Sequence, residues 1–252
     1  MKSPLIIGNL KLHGKIELIK NLIQGLNNIS IFNSNVSIAP PEIFLQYACK
    51  ISKNKNVSIC AQNVDVHLDG PFTGETSAKM LKEIGVKYVI IGHSERRKYH
   101  FEDDLTISKK IEVTKSQNLI PILCIGETKR KDFSESIKFC KKQIDNLIIL
   151  GTDIKNVVFA YEPIWAIGTG VSADPKEIQN ISKFIKSYVS EKSKCSYENI
   201  IVQYGGSINE KNVINFLKQK DIDGLLIGSS SIQYKLFSKI ILCIERFLES
   251  DI

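Results

Sequence analysis

The sequence lacks the features that mark several classes of protein. None of its apolar runs approaches the ~18 residues that a membrane span needs, so we expect no membrane association. Its six cysteines are scattered without any C-x-x-C spacing, which favours reduced, mostly buried thiols over disulfides or zinc ligands. Its four histidines show no metal-ligand spacing with the carboxylates, and the sequence therefore predicts no metal site.

Motifs for nucleotide binding and for serine hydrolysis are also missing. No G-x-G-x-x-G follows the first apolar run, so a dinucleotide cofactor is not indicated. Residues 8–15 have the wrong glycine spacing for a P-loop, and no Ser or Thr follows their lysine. Residues 92–96, GHSER, lack the final glycine of a nucleophile elbow. We expect no cofactor.

The charge is basic but spread along the chain. Lys and Arg number 34 and Asp and Glu 27, for a net charge of +7. No lysine stripe is interleaved with aromatic residues, which favours a solvated surface over nucleic-acid binding, although a basic balance also helps to attract an anionic substrate. Asn9 and Lys11 end the first apolar stretch before a cleavable signal could form, so we expect a cytoplasmic protein.

Eight short apolar runs, rich in β-branched residues, recur along the chain with helical patterns between most of them. Each run is too short for a helix and too apolar for a half-exposed antiparallel strand, so buried parallel strands fit best. Eight βα units in 252 residues predict a closed (β/α)8 barrel, with a doubly wound open sheet as the alternative. No linker or composition shift divides the chain, and we expect residues 1–252 to form a single domain.

Polar residues follow several of these runs, where the chemistry of parallel α/β folds gathers. They are Asn9 and Lys11 after the first run, His93 and Glu95 after the fourth, and Glu162 after the sixth. The last two runs end in small residues, at 205–207 and 228–231. Their backbone N–H groups suit a phosphate dianion, so we predict a phosphate site beside a cation, an imidazole and a carboxylate.

Seven segments together resemble the triosephosphate isomerase family over nearly the whole chain. They are GNLKL (8–12), AQNV (61–64), FTGETS (72–77), YVIIGHSERR (88–97), PILCIGE (121–127), AYEPIWAIGTG (160–170) and YGGS (204–207). Any one would be a weak signal, but seven in this order are specific. The resemblance implies a barrel enzyme that interconverts dihydroxyacetone phosphate and D-glyceraldehyde 3-phosphate through an enediolate.

The resemblance also implies the catalytic roles, because this family is itself a standard example of a glutamate base working with a neutral histidine under a closing loop. Glu162 matches the base that moves a proton between C1 and C2, and His93 matches the electrophile that donates to the substrate oxygens. Lys11 matches the cation that stabilises the enediolate, with Asn9 as a neighbouring donor. Glu95 matches a buried carboxylate paired with Lys11, either as a proton relay or as a structural ion pair.

A phosphate cradle, a mobile lid and a subunit interface are implied in the same way. The cradle comprises Gly168, Ser207, Gly228 and Ser229. The lid comprises Pro163, Ile164, Trp165, Ala166, Ile167, Gly168, Thr169 and Gly170, and its closure excludes water from the enediolate. The loop of Phe72, Thr73, Gly74 and Glu75 would dock beside the active site of the partner subunit in a homodimer.

Several residues depart from the family pattern or need a separate interpretation. Leu10 and His13 stand where the family usually has Trp and Asn, which affects packing and interface detail. Ser229 stands where Gly is common, so a positive φ there would strain the backbone. Cys124 matches a family cysteine behind the base, and we expect it to support packing and not to act as a nucleophile.

Two alternatives to an isomerase remain open. Another barrel enzyme acting on a sugar phosphate, such as a Schiff-base aldolase, would need a desolvated lysine, for which Lys11 is the strand-end candidate. A non-catalytic basic binding protein would instead bind nucleic acid in a salt-dependent way. An isomerase assay without added metal separates the first prediction from both.

Overall fold

The strands close into a parallel barrel in chain order, β1 to β8, with β8 pairing back to β1. The computed structural model describes residues 3–52, 56–166 and 172–250. Within these ranges the strands are β1 (Leu5–Asn9), β2 (Asn35–Ala39), β3 (Val57–Ala61), β4 (Tyr88–Ile91), β5 (Ile120–Ile125), β6 (Val158–Tyr161), β7 (Ile201–Gly206) and β8 (Gly224–Ile227). The predicted (β/α)8 barrel is confirmed, and the open-sheet alternative is wrong.

Helices surround the barrel and connect its strands. In the described ranges they are α1 (Ile16–Asn27), α2 (Leu45–Ser52), α3 (Ala78–Glu83), α4 (Ser94–Tyr99), α5 (Asp104–Ser116), α6 (Phe133–Ile149), α7 (Pro175–Ser193), α8 (Val213–Leu217) and α9 (Tyr234–Ser250). Asp174 caps the start of α7 by accepting a hydrogen bond from the Lys176 amide at 2.8 Å, with Pro175 at the first helical position. None of the helices within these ranges is long and apolar enough to cross a membrane.

The apolar side chains form two layers, because successive residues of a strand point to opposite faces. Ile7 and Leu5 of β1 point into the barrel, whereas Ile6 packs outward against the helices. Both faces of each strand are therefore buried away from solvent, which explains why the strands appear in the sequence as continuous apolar runs. The outward layer meets helix faces with apolar residues at a period near 3.6, such as Ile19, Leu22, Ile23 and Leu26 of α1.

The last helix is joined to the start of the barrel by a buried carboxylate. Glu245 of α9 accepts hydrogen bonds from the successive amides of Phe32, Asn33 and Ser34 at 3.0–3.1 Å, and from the Ser34 hydroxyl. These amides precede β2, so the contact holds the C-terminal helix against the first βα unit. Buried charge of this kind is tolerated only where it is hydrogen-bonded.

Candidate active site

The carboxyl ends of the strands surround a cavity of about 120 Å³. Predicted site residues that line it are Asn9, Lys11, His93, Glu162, Ser207, Gly228 and Ser229. They come from the ends of β1, β4, β6, β7 and β8, far apart in the sequence. Barrel closure thus places a cation, an imidazole and a carboxylate opposite the small-residue loops that were predicted to bind phosphate.

His93 and Glu162 form the centre of this cavity. Nε2 of His93 lies 3.3 Å from Oε1 of Glu162, and both side chains are buried. His93 directly precedes α4, and its Nδ1 accepts a hydrogen bond from the Glu95 amide at 3.3 Å. A neutral imidazole has one donor and one acceptor nitrogen, so this contact leaves the ring proton on Nε2, facing the carboxylate.

The pKa values of the pair move in opposite directions. Burial alone would raise the pKa of Glu162, but the nearby His93 ring and hydrogen bonds from His93 and Cys124 lower it below its ordinary value. Burial would lower the pKa of His93, but the Glu162 charge and hydrogen bond raise it. Glu162 is therefore ionised at neutral pH, which the predicted role of general base requires. Once Glu162 takes up a proton, the charge that raises the His93 pKa is gone, and a neutral ring is favoured.

Cys124, on the inner face of β5, lies against the Glu162 carboxylate. Burial raises its pKa well above the ordinary value, and the Glu162 charge raises it further. The thiol therefore stays protonated and donates a hydrogen bond to the Glu162 carboxylate. These contacts fit the predicted supporting role and leave no thiolate for nucleophilic chemistry.

Lys11 has a left-handed backbone, with φ of 48°, which costs a non-glycine residue about 1–2 kcal/mol. Two amide side chains hold this turn. Asn9 accepts from the Lys11 N–H at 3.0 Å through Oδ1, and Gln62 donates to the Lys11 carbonyl at 2.9 Å. The interpretation of the sequence missed the role of Gln62, whose only signal was its place at the end of β3.

The ammonium of Lys11 reaches the predicted partner. Its Nζ lies 2.6 Å from Oε1 of Glu95, at the edge of the cavity. The side chain of Glu95 is 46% exposed in the single chain, so the expectation of a buried carboxylate is wrong for the chain alone. Its exposure arises because α4 begins at the rim of the barrel, where the described chain has nothing to cover it.

The end of the cavity that was predicted to bind phosphate shows no strain at Ser229. The residues of the described chain that have a positive φ and are not glycine are Lys11, Phe101, Asn118, Asn156 and Lys194. Ser229 instead begins a 3-10 turn, Ser229–Ser231. The condition for strain at this position, a positive φ, is therefore not met, because this turn needs no left-handed residue there.

Comparison with known proteins agrees with this arrangement. A sequence model of the triosephosphate isomerase family matches residues 4–244. The chain belongs to the triosephosphate isomerase family. Among its relatives are proteins named triosephosphate isomerase from Buchnera aphidicola subsp. Schizaphis graminum, 50% identical over 98% of this chain and 100% of the relative, and from Photorhabdus laumondii, 45% identical over 96% of each. The predicted family is confirmed.

The segment that corresponds to the family lid is described in part. Pro163 is followed by a 3-10 turn, Ile164–Ala166, and the Trp165 indole N–H donates to Oε1 of Glu127 at 3.1 Å. Ser207 donates to the Ala166 carbonyl at 2.8 Å, which joins this turn to the loop after β7. The other predicted lid residues lie outside the described residues: Ile167, Gly168, Thr169 and Gly170. The phosphate contact of Gly168 and the motion of the lid stay predictions.

The loop that the family pattern assigns to the subunit interface is exposed in the single chain. Phe72, Thr73, Gly74 and Glu75 all lie on the surface, and Gly74 has a φ of 93°. Phe72 stacks on His67 with ring centroids 3.5 Å apart, a contact that the sequence did not reveal.

In the described part of the chain, no group of three or more His, Cys, Asp or Glu side chains could hold a metal ion.

Proposed function

We propose that this protein interconverts dihydroxyacetone phosphate and D-glyceraldehyde 3-phosphate. The observation that carries the proposal is the buried pair of an ionised Glu162 and an Nε2-protonated His93, 3.3 Å apart in a cavity at the carboxyl end of the barrel. A base and a hydrogen-bond donor at this separation suit proton abstraction beside a carbonyl group. The relatives named triosephosphate isomerase support the same reaction.

In the proposed mechanism, Glu162 removes a proton from C1 of dihydroxyacetone phosphate. The C–H electrons form the C1–C2 double bond, and the C2 carbonyl electrons move to its oxygen. His93 donates through Nε2 to that oxygen, while the Lys11 ammonium stabilises the negative charge. His93 gives its Nε2 proton to the C2 oxygen and takes up the proton of the C1 hydroxyl, so the C1 oxygen becomes the aldehyde oxygen as protonated Glu162 returns the carbon proton to C2. No oxidant, reductant or cofactor is needed, because one proton changes carbon.

The phosphate group binds at the other end of the cavity in this proposal. The loops that carry Ser207, Gly228 and Ser229 offer backbone N–H groups with little side chain in the way. Binding energy from the phosphate then helps to position the reacting carbons near Glu162. Gly168, outside the described residues, completes the cradle in the family pattern, and closure of its loop would exclude water.

We also propose that the protein acts as a cytoplasmic homodimer. Large apolar side chains are exposed on the loops beyond β1 to β4: Leu12 at 95%, Ile43 at 83% and Phe101 at 85%. They lie at the same end of the barrel as the loop of Phe72 and Thr73, and large exposed apolar side chains at one end of a molecule favour an interface there. The six cysteines are all free, which suits a reducing compartment.

The test is a coupled assay that follows dihydroxyacetone phosphate conversion without added metal. Glu162→Asp moves the carboxylate back by about one bond, and we expect kcat to fall ~100-fold or more because geometry limits proton transfer. Glu249→Asp, on the exposed end of α9, is the matched control and should keep full activity. No isomerase activity in the unsubstituted protein, or an undiminished rate in Glu162→Asp, would refute the proposal.

A further inference from the structure

Arg130 stacks over the only tryptophan of the chain. Its guanidinium carbon lies 4.9 Å from the centroid of the Trp165 ring. Arg130 is exposed and belongs to a basic stretch, Lys129, Arg130 and Lys131, in the loop between β5 and α6. A planar guanidinium over the face of an indole is a favourable cation–π arrangement, and arginine suits it better than lysine.

A buried carboxyl group, that of Glu127, holds the edge of the Trp165 ring. The indole N–H donates to Oε1 of Glu127, and the same carboxylate accepts from the Tyr161 hydroxyl at 2.9 Å. Trp165 itself is half-buried. The ring is therefore held at its edge by the buried Glu127 carboxyl group and on its face by the exposed Arg130 guanidinium, and both residues come from the chain that follows β5.

We call the contacts of Arg130 and Glu127 with Trp165 the Trp165 clamp. Trp165 lies three residues after the proposed base, Glu162, and backbone hydrogen bonds join the segment between them to the chain after β5. The Glu162 amide donates to the Ile125 carbonyl at 2.8 Å, and the Ile164 amide donates to the Glu127 carbonyl at 3.0 Å. Pro163 between them has a restricted φ. A displacement of Trp165 relative to the loop after β5 is thus passed along a short, stiff segment to Glu162.

We propose that Arg130 is a positioning residue that acts through Trp165 on the Glu162 segment. The inference rests on the proposed function, since its kinetic consequence is a change in proton abstraction by Glu162. Arg130 does not line the cavity, so its effect passes through the indole and not through contact with the substrate. The neighbouring Lys129 carries the same charge in the same loop and provides a matched comparison.

The experiment measures kcat, KM and tryptophan emission in the full-length protein and in three variants. Arg130→Met keeps an aliphatic chain but removes the cation, and we expect an altered Trp165 emission spectrum with kcat lowered about two- to fivefold, the scale of an exposed cation–π contact. KM should change less than twofold. Arg130→Lys should give an intermediate spectrum and rate, and Lys129→Met should match the unsubstituted protein.

The possible outcomes separate this inference from the proposed function. Absence of isomerase activity in the unsubstituted protein would refute the proposed function, while the emission spectra would still report on the Arg130 contact. Normal kcat in Arg130→Met would overturn the inference whether or not the emission changed. A lower kcat without a change in emission would overturn it too, as would equal rises in KM for Arg130→Met and Lys129→Met, which would indicate general attraction of an anionic substrate.

Discussion

The pKa of His93 depends on several neighbours. Burial and the Lys11 charge lower it, while the charges of Glu162, which has the larger effect, and Glu95 raise it above its ordinary value. The Glu95 amide also occupies Nδ1 and so opposes a second ring proton. The neutral imidazole of the proposed mechanism is therefore a property of the pair, because it depends on whether Glu162 is charged.

This dependence can be measured. Glu162→Gln removes the charge but keeps the shape, so we expect the pKa of His93 to fall, because the first cause that raises it is lost and burial remains. An NMR titration of the His93 ring in the ligand-free protein gives the value. Glu249→Gln, at the exposed end of α9, should leave the His93 titration unchanged. A His93 pKa that is the same or higher in Glu162→Gln would contradict the assignment.

The end of β5 passes very close to the backbone of Glu162. Gly126 has a φ of 151°, and a Cβ atom there would lie 1.9 Å from the Glu162 carbonyl oxygen. The backbones of Gly126 and Glu162 are so close that any residue with a Cβ atom at position 126 would clash with Glu162. The glycine in this segment therefore allows β5 and β6 to bring Cys124 and Glu162 into contact.

Gly126→Ala tests that crossing. Gly85→Ala is the matched control, since Gly85 also has a positive φ, 93°, but nothing lies within 4 Å of its Cβ position. We expect both variants to lose stability through backbone strain, and Gly126→Ala to lose roughly 1–3 kcal/mol more in free energy of unfolding because of overpacking. Urea unfolding measures the difference. Equal losses in the two variants would show that the clash with Glu162 is relieved without cost.

The single chain exposes large apolar side chains at the end of the barrel that holds the cavity. The exposed apolar side chains Leu12, Ile43 and Phe101 lie on the segments that follow β1, β2 and β4, at the same end of the barrel as the loop of Thr73. The proposed cavity lies at the same end of the barrel, and Glu95 at its edge is nearly half exposed. A second copy of the chain docked on these loops would cover both the apolar side chains and this carboxylate.

Thr73→Arg places a long charged side chain in the proposed interface. We expect it to shift the protein from dimer to monomer, since an unpaired charge in an apolar contact is costly, and to lower kcat by exposing the Lys11–Glu95 pair to water. Analytical ultracentrifugation measures the mass. Ile149→Arg, at an exposed apolar site that ends α6, should stay dimeric. A monomeric unsubstituted protein, or a dimeric Thr73→Arg, would count against the interface.

Local physics was enough to predict the barrel. Buried parallel strands must be apolar on both faces and amphipathic helices must repeat near 3.6 residues, so both are visible in short windows of sequence. The sequence also predicted that the polar residues after β1, β4 and β6 would meet, because the ends of parallel strands lie at one edge, and they line one cavity. Their roles in catalysis and phosphate binding stay predictions. That residues 1–252 form a single domain stays a prediction.

Contacts between segments far apart in the sequence determined backbone conformations, side-chain exposures and pKa shifts that the sequence did not reveal. Nothing near Lys11 in the sequence shows its left-handed backbone, which Gln62 helps to hold from another strand. The half-exposed Glu95 and the clamp of Arg130 on Trp165 likewise follow from where barrel closure places separate loops. The charge state of Glu162 depends on a distance to His93 of 3.3 Å, and Coulomb energies and pKa values depend on such distances, which amino-acid order does not contain.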